Sequence, residues 1–364
     1  MKFQGIVVIG GYGHVGQQIC RRLAVRFPGR VFAAGRSMES AKRFCQSSQL
    51  NIQPMRIDAQ TPPEPGLAEH AQIVIMCLDH AHPDFARFCL EHRTHYIDIS
   101  ADPQILSRTE RLHETAVMGG ATAVLSVGMA PGLTNLLAAY CASRLETVER
   151  VDIGILLGLG DNHGQAAIDW TLSNVNAEYH LSVRGQSVRV RSLDEGKGMD
   201  FGGTLGTRTA YRFNFSDQHT LARTLSLPEV TTRLCFDSIP LTRLLALFKR
   251  TGLLKVLNRP GLRRRAVELM GKTAFGTEVC ALTVEAQGRS GEKSVQLACR
   301  MRGTHEAAVT AAAAAAVASS LLEDGHPAGV YHIEQLFRLD RLLPAFESHA
   351  VFEAMENGRP VPLV

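Results

Sequence analysis

Short, largely apolar runs alternate with segments of helical periodicity over the first third of the chain. The runs that predict strands cover residues 6–9, 30–34, 52–58, 73–78, 96–100 and 121–127. Between them hydrophobic residues recur at three- and four-residue spacing, as at Val15, Ile19 and Leu23, which is the period of an amphipathic helix. One such helix is predicted over residues 103–117. Apolar strands that alternate with helices indicate an α/β fold with a doubly wound parallel sheet.

The first strand leads into a glycine-rich turn that opens a helix. The turn is Gly10-Gly11-Tyr12-Gly13-His14-Val15-Gly16, and strand, G-x-G-x-x-G and helix in this order form the dinucleotide-binding fingerprint of a Rossmann domain. We expect Gly11 to permit the tight turn, Gly13 to let the backbone approach a pyrophosphate, and Gly16 to bring the helix close to the strand. The backbone around Tyr12, His14 and Val15 then offers N–H groups to the phosphates.

The end of the second strand indicates which dinucleotide binds. An NAD site usually has an acidic residue here, but this chain has Gly35-Arg36-Ser37, and a guanidinium suits a 2′-phosphate. The expected cofactor is therefore NADP. Ser37 could bind the same phosphate, cap the following helix, or do both. Asp58, at the end of the third strand, could face the adenine or cap its loop.

Further candidates follow the carboxyl ends of later strands, where open parallel sheets bind ligands. Cys77 and Leu78 end the fourth strand, and Ser100 ends the fifth. Gly132 lies in a Pro-Gly turn that precedes an apolar helical stripe. That turn predicts a second helix N-terminus, which could hold a carboxylate or the nicotinamide carboxamide.

Three residues are candidates for catalysis. Asp98 and Asp102 flank the end of the fifth strand, and an anion there would favour a cationic carbon–nitrogen group. The alternative is that Asp98 lies inside the strand or caps the loop. His163, in Gly160-Asp161-Asn162-His163-Gly164, titrates near neutral pH and could transfer a proton. A plain surface turn is the alternative for that loop.

The pattern changes after residue 148, where longer strands predict a second, α+β domain. The expected strands cover residues 151–157, 179–190, 207–215, 279–286 and 294–301, and an alanine-rich helix follows from residue 303 to about residue 322. We expect an NADP-binding Rossmann domain over 1–130, a substrate and dimerisation domain over 131–325, and a C-terminal segment, 326–364, that could pack back on the first domain.

Composition narrows the class of protein. The net charge is only +4, so no nucleic-acid partner is expected. The chain shows no signal-peptide pattern and no transmembrane segment, and its eight cysteines have no C-x-x-C spacing, as in reduced, cytoplasmic proteins. His80 and His82, with His92 and His95, could suggest metal ligands, but without a zinc motif we expect no metal site.

Residues 240–265 combine leucines with many basic residues. This segment could be a dimer helix, a lid over an oily substrate, or, as the least favoured alternative, a peripheral membrane contact.

Several of these motifs together resemble the saccharopine dehydrogenase-like reductases. They are the glycine fingerprint, Gly35-Arg36-Ser37, Tyr96-Ile97-Asp98-Ile99-Ser100 and Gly128-x-x-Pro131-Gly132-Leu133-x-Asn135. The group includes saccharopine reductase, lysine dehydrogenase and carboxynorspermidine synthase. The resemblance implies a Rossmann domain, an α+β domain for substrate contacts and homodimerisation, and NAD(P)-dependent hydride transfer at a carbon–nitrogen bond. The region 225–272 departs from those enzymes, so their amino-acid substrates do not carry over.

The function expected from the sequence is therefore imine reduction, or the reverse amine oxidation, on a small-molecule substrate. A protonated iminium is already electrophilic, so positioning supplies most of the catalysis. This suits a chain with no Tyr-x-x-x-Lys pair, no Glu-Lys-Pro and no zinc-ligand set. One alternative is an enoyl reductase for a lipid- or polyketide-like substrate, and another is a non-catalytic NADP-binding sensor or assembly protein.

Overall fold

The chain forms two compact units and passes twice through each. The computed structural model describes residues 5–78, 83–161, 163–270 and 276–363. The first unit comprises Met1–Leu133 and Thr310–Phe337, and the second comprises Thr134–Val309 and Arg338–Val364.

The first passage through the first unit alternates strands and helices. Its elements are β1 (Gly5–Ile9), α1 (His14–Arg26), β2 (Val31–Gly35), α2 (Met38–Ser48), β3 (Ile52–Arg56), α3 (Gly66–His70), β4 (Ala71–Met76), α4 (Asp84–Glu91), β5 (His95–Asp98), α5 (Pro103–Glu110), α6 (His113–Gly119) and β6 (Thr122–Leu125). The single helix expected over 103–117 is wrong, because the chain breaks it between Glu110 and His113.

The passage through the second unit is richer in long strands. Its elements are α7 (Thr134–Ala142), β7 (Thr147–Leu157), α8 (Gln165–Asn174), β8 (Glu178–Val183), β9 (Gln186–Arg191), β10 (Lys197–Asp200), β11 (Thr207–Arg212), α9 (Asp217–Thr224), β12 (Val230–Phe236), α10 (Ile239–Thr251), α11 (Pro260–Met270), β13 (Val279–Ser290) and β14 (Lys293–Thr304). The strand expected over 179–190 is a hairpin, since Arg184 and Gly185 both adopt positive φ, as a two-residue hairpin turn requires.

The chain then returns to the first unit and ends in the second. The remaining elements are α12 (Glu306–Glu323), β15 (Gly329–His332), α13 (Ile333–Leu336), α14 (Leu339–Leu342), β16 (Ala350–Glu356) and β17 (Arg359–Val361). The return begins at Thr310, earlier than the expected residue 326, and residues 338–364 belong to the second unit. Only residues 326–337 of the expected C-terminal segment therefore lie in the first unit.

The described strands of the first unit form one parallel sheet, and this confirms the expected doubly wound α/β fold. The strand order is β15-β6-β5-β4-β1-β2-β3, and each of the six pairs is parallel. The strands are almost fully buried; Ile6, Val7 and Ile75, for example, have no exposed surface. The chain order reverses between β1 and β4, and ligands bind at such a switch point, outside the carboxyl ends of the strands.

The described strands of the second unit form a mixed sheet and a separate hairpin. The sheet order is β10-β11-β12-β7-β13-β14-β16-β17, and β8 pairs with β9. One face bears ion pairs: the buried Asp152 binds Arg150, Arg233 and Lys197, and Lys197 also binds Glu285. These pairs satisfy charges that would otherwise be costly to bury.

Helix α12 is long and apolar enough to cross a membrane, the one described helix that passes this test. However, 72% of its apolar window is buried inside the protein. We therefore describe it as a core helix.

Candidate functional site

The glycine-rich turn lies at the carboxyl end of β1, pressed against β2. Gly10 has φ +82°, and the N–H groups of Gly10 and Gly11 both donate to the carbonyl of Ala34, at 2.9 and 3.0 Å. A Cβ on Gly11 would lie 2.8 Å from the Cα of Ala33. The expectation for Gly11 is thus corrected: Gly10 supplies the conformational freedom that the tight turn needs, and Gly11 allows the close approach to β2.

The other two glycines of the fingerprint differ in what surrounds them. A Cβ on Gly16 would lie 2.2 Å from the carbonyl oxygen of Gly10, whereas a Cβ on Gly13 would meet only that same oxygen, at 3.0 Å. Gly13 is also exposed and has an ordinary φ of −76°. Gly16 is therefore required by packing, and Gly13 leaves space in front of the turn.

Helix α1 begins beside this space, and no side chain caps its N-terminus. Gly13 is its N-cap and forms no side-chain cap hydrogen bond, and His14 and Val15 are the first helical residues. The first N–H groups of a helix need partners from outside it and favour anions. The residues present therefore fit a pyrophosphate, as the fingerprint predicts.

Tyr12 links the turn to the end of β2. Its ring packs over Gly35, where a Cβ would lie within 2.5 Å of a ring carbon, and its hydroxyl accepts a hydrogen bond from the N–H of Ser37, at 2.9 Å. The Ser37 hydroxyl in turn accepts from the N–H of Ser40 and caps α2. Ser37 thus forms the helix cap, and its contact with a phosphate stays a prediction.

Two charged candidates lie near this strand end. Arg36 is exposed and pairs with no carboxylate among the described residues. The N–H of Ile57 donates to the carbonyl of Gly35, at 3.0 Å, which keeps Asp58 beside β2. The carboxylate of Asp58 accepts from the N–H of Gln60, so it caps its loop, whereas the guanidinium of Arg36 is available to an anion.

The end of β4 contacts the same turn. A Cβ on Gly10 would lie 3.1 Å from the side chain of Leu78 and 3.3 Å from the Cβ of Cys77. Burial, and secondarily the charge of Asp98, raises the pKa of the Cys77 thiol. Cys77 is therefore a neutral thiol at physiological pH, and Leu78 adds apolar surface beside the turn.

Asp98 ends β5 and has no exposed surface. Its carboxylate accepts hydrogen bonds from the hydroxyl of Tyr96, at 3.0 Å, and from the N–H of Ser100, at 2.8 Å. Burial, followed by the charge of Asp98, raises the pKa of the Tyr96 hydroxyl. The carboxylate therefore lies at the carboxyl edge of the sheet, where such folds bind ligands, on the strand next to β4. The two hydrogen-bond donors hold it in place.

Ser100 and Asp102 organise the loop that follows. The Ser100 hydroxyl accepts from the N–H of Asp102, and the Asp102 carboxylate accepts from the N–H groups of Gln104 and Ile105, at 2.7 and 3.4 Å. Asp102 is therefore the N-cap of α5. This contact gives it a structural role, and the catalytic role that we expected stays a prediction.

Gly132 follows β6 and lies beside Ser126, which belongs to a series of hydrogen-bonded polar side chains. No pattern in the sequence indicates this series. Gly132 has φ +131°, and a Cβ there would lie 2.9 Å from the carbonyl of Ser126. The hydroxyl of Ser126 bonds to Nδ1 of His332, at 2.8 Å, and Nε2 of His332 bonds to Glu110. Ser126 itself adopts φ +57°, an uncommon conformation for a non-glycine residue.

His163 belongs to the second unit, where both of its ring nitrogens have partners. Nδ1 lies 3.2 Å from a carboxylate oxygen of Glu306, and Nε2 lies 2.9 Å from the carbonyl of Gly158. Burial alone would lower the pKa of His163, but the hydrogen bond and charge of Glu306 outweigh it and raise that pKa to about 9. His163 is thus a cation that fastens its loop to the start of α12.

The described residues contain no cluster of His, Cys, Asp or Glu that could hold a metal ion. His92 bonds to the carbonyl of Phe88, and His95 accepts from the N–H of Thr122. His80 and His82 lie outside the described residues. All eight cysteines are free thiols.

Comparison with known families agrees with this geometry. Residues 6–124 match the family model described as the saccharopine dehydrogenase NADP-binding domain. The match spans the glycine turn, Arg36 and Asp98. It confirms the resemblance inferred from the sequence motifs and identifies the first unit as an NADP-binding domain.

Solved structures extend the similarity to the fold of the whole chain. Saccharopine dehydrogenase (L-Glu forming) from Saccharomyces cerevisiae is similar with a TM-score of 0.65 at 13% identity, over 97% of this chain and 100% of that one. DAP dehydrogenase from C. glutamicum, in complex with DAP, gives a TM-score of 0.47 at 12% identity, over 96% of this chain and 99% of that one. The first similarity shows a shared fold. Together with the family match it supports an NAD(P)-dependent oxidoreductase.

Proposed function

We propose that the protein is an NADP(H)-dependent oxidoreductase that transfers hydride at a carbon–nitrogen bond. The observation that supports the proposal is that two features lie at the same edge of the parallel sheet. An open helix N-terminus, with Arg36 that pairs with no carboxylate in the described part of the chain, lies on one side of the switch point. The buried carboxylate of Asp98 lies on the other side.

Backbone N–H groups and one positive charge bind the phosphates of the cofactor. The first N–H groups of α1 bind the pyrophosphate, and the empty space at Gly13 lets it approach. Arg36 binds the 2′-phosphate, because a guanidinium forms charge-assisted hydrogen bonds to phosphate oxygens and pairs with no carboxylate here. When bound, NADPH supplies a hydride, and NADP⁺ accepts one in the reverse direction.

The substrate end rests on Asp98. Its carboxylate carries a negative charge in a water-excluded place, where charges act strongly on their surroundings. A cationic iminium gains from this field, whereas a neutral ketone does not. Because Asp98 has no exposed surface, it acts as a positioning and electrostatic residue through Tyr96 and Ser100, without touching the substrate.

A substrate screen tests the proposal. The full chain is incubated with NADPH and pairs of 2-oxo acids and primary amines, and oxidation of the cofactor is followed by absorbance. We expect turnover that needs both carbonyl and amine, and product containing a new secondary amine by mass spectrometry. The Gly13→Val variant serves as the control without cofactor binding.

Two other outcomes would overturn the carbon–nitrogen assignment. Turnover of α,β-unsaturated thioesters without an amine would make the protein an enoyl reductase. Tight NADPH binding with no turnover of any imine or enoyl substrate would indicate a sensor or assembly role.

A further inference from the structure

Exposed apolar side chains are concentrated in one segment of the second unit. Fourteen large hydrophobic residues are exposed among the described residues, and eight of them lie between residues 239 and 270. They are Ile239, Leu244, Leu247, Leu253, Val256, Leu262, Leu269 and Met270. Exposed apolar side chains concentrated in one segment in this way indicate an interaction site. We call residues 239–270 the basic apolar surface.

Helix α10 shows how the segment divides into an inner and an outer side. Thr242 and Ala246 are buried, and Thr242 bonds to the carbonyl and N–H of Phe236 at the end of β12. Leu247, by contrast, is 53% exposed, and the exposed Arg243 and Arg250 lie one turn before and after it. The inner side fastens the helix to the sheet, and the outer side presents leucine between arginines.

Helix α11 and the turn before it continue the same pattern. Val267 is buried against the protein, while Leu262 and Leu269, two turns apart, are exposed, the latter to 65%. Leu253, in the short 3₁₀ turn between the helices, is exposed to 58%. Apolar side chains therefore face outward along the whole segment.

The charge of the basic apolar surface is strongly positive. Residues 239–270 contain eight Lys and Arg and one Glu, a net charge of +7, while the whole chain carries +4. Arg263 pairs with Asp169, and Arg264 pairs with Glu268. Five others have no carboxylate partner among the described residues: Arg243, Arg250, Lys255, Arg259 and Arg265. A partner that complements this surface is therefore both apolar and anionic.

These two requirements select among the partners that could cover the surface. A second copy docked about a two-fold axis would bring two such positive segments together, and like charges at an interface oppose association. A nucleic acid would satisfy the arginines but leave the outward leucines in water. We propose that the basic apolar surface binds the headgroup region of a bilayer rich in anionic phospholipids, with its leucines among the upper acyl chains.

Co-sedimentation with vesicles tests the proposal. The full chain is mixed with vesicles of phosphatidylcholine alone, or of phosphatidylcholine and phosphatidylglycerol in equal amounts. We expect binding to the anionic vesicles that weakens as salt is added, and little binding to the neutral ones. Failure to bind the anionic vesicles at low salt would overturn the proposal.

Variants separate the leucine and arginine contributions. We expect Leu247→Glu and Leu253→Glu each to weaken partitioning by about tenfold or more, because an inserted apolar side chain is lost and a repelled charge is gained. Arg250→Ala with Arg265→Ala is expected to weaken it by about fivefold per removed cation. The matched controls are Val25→Glu, at an exposed aliphatic position on α1, and Lys293→Ala with Arg359→Ala, which we expect to bind like the parent chain.

Two outcomes with the leucine variants would overturn the proposal. If Leu247→Glu turns a dimer into a monomer in sedimentation velocity, the surface is an interface between copies and the proposal fails. It also fails if the leucine variants bind vesicles as the parent does, because binding would then rest on charge alone. Since the altered residues are exposed, unchanged circular dichroism and melting temperature are expected, which keeps the comparison valid.

Discussion

Replacing Glu306 by glutamine is expected to remove a pH dependence of folding stability that His163 introduces. Burial lowers the pKa of His163, but the hydrogen bond and charge of Glu306, helped by the Gly158 carbonyl and by Asp161, raise it from 6.5 to about 9. Between these values the folded state therefore keeps a proton that the unfolded state releases. The stabilisation is fully present below about pH 6.5 and is lost as the pH rises through about 9. One pKa unit corresponds to about 1.4 kcal/mol; with some screening of this partly buried pair, the contribution is about 1–3 kcal/mol.

Urea unfolding at several pH values measures the effect. Trp170, the single tryptophan, packs against Phe213 and Phe215 in the second unit, at ring-centre distances of 5.9 and 5.0 Å, so its fluorescence reports on the unit that holds His163. At about pH 6 we expect Glu306→Gln to be about 1–3 kcal/mol less stable than the parent chain. At about pH 10 the difference should have largely disappeared, because His163 is then neutral in both proteins.

The comparison between the two proteins is needed because other groups titrate in the same range. Burial raises the pKa of the Cys235 thiol to about 12, so this thiol also favours unfolding at alkaline pH, but it does so equally in both chains. Glu278→Gln is the matched control, since Glu278 pairs with an exposed histidine, His305, and such pairs contribute little. Parallel stability curves for the parent and Glu306→Gln across this range would refute the argument.

Three further predictions concern the nucleotide and the chemistry. Arg36→Ala should weaken NADPH by about 1.5–3 kcal/mol and NADH far less, by calorimetry; equal losses, or equal effects of the control Lys42→Ala, would contradict the 2′-phosphate role. Gly13→Val should keep the melting temperature but lose NADPH binding, whereas Gly16→Val should unfold, because its Cβ would lie 2.2 Å from a backbone oxygen; normal NADPH binding by Gly13→Val would exclude the turn as the phosphate site. Asp98→Asn should lower turnover of an imine substrate by about 10²–10⁴-fold with little change in NADPH affinity, and unchanged turnover would remove Asp98 from the mechanism.

The sequence predicted the features of the first unit that depend on neighbouring residues. Buried parallel strands are continuous apolar runs, and the glycine turn is a local backbone requirement, so both leave a clear pattern. The glycine spacing nevertheless predicts the tight turn at Gly11, whereas Gly10 has the positive φ, because the motif gives the spacing of glycines and not their φ angles. The hairpin at Arg184-Gly185 was missed since it lacks the Asn-Gly or Asp-Gly signal of such turns.

Features that join distant residues could not be predicted in this way. Ser126 and His332 are 206 residues apart, and His163 and Glu306 are 143 apart, so no local pattern links them. The cap formed by Asp102 was missed for another reason: a carboxylate at a strand end is typical both of a helix N-cap and of a catalytic anion. Contacts alone distinguish these roles.

The twofold passage of the chain through each unit has a consequence for synthesis on the ribosome. β6 acquires its neighbour β15 only after residue 332 has been made, and β14 acquires β16 only after residue 356. The edge at β6 is thus unpaired while residues 126–332 are made, and the edge at β14 while residues 305–356 are made. Such edges promote aggregation. The sheet of the first unit is therefore completed only after strands β7 to β14 of the second unit have been made. A cofactor domain excised for expression would accordingly need residues 310–337 joined to 5–133, since the N-terminal piece alone lacks its last strand.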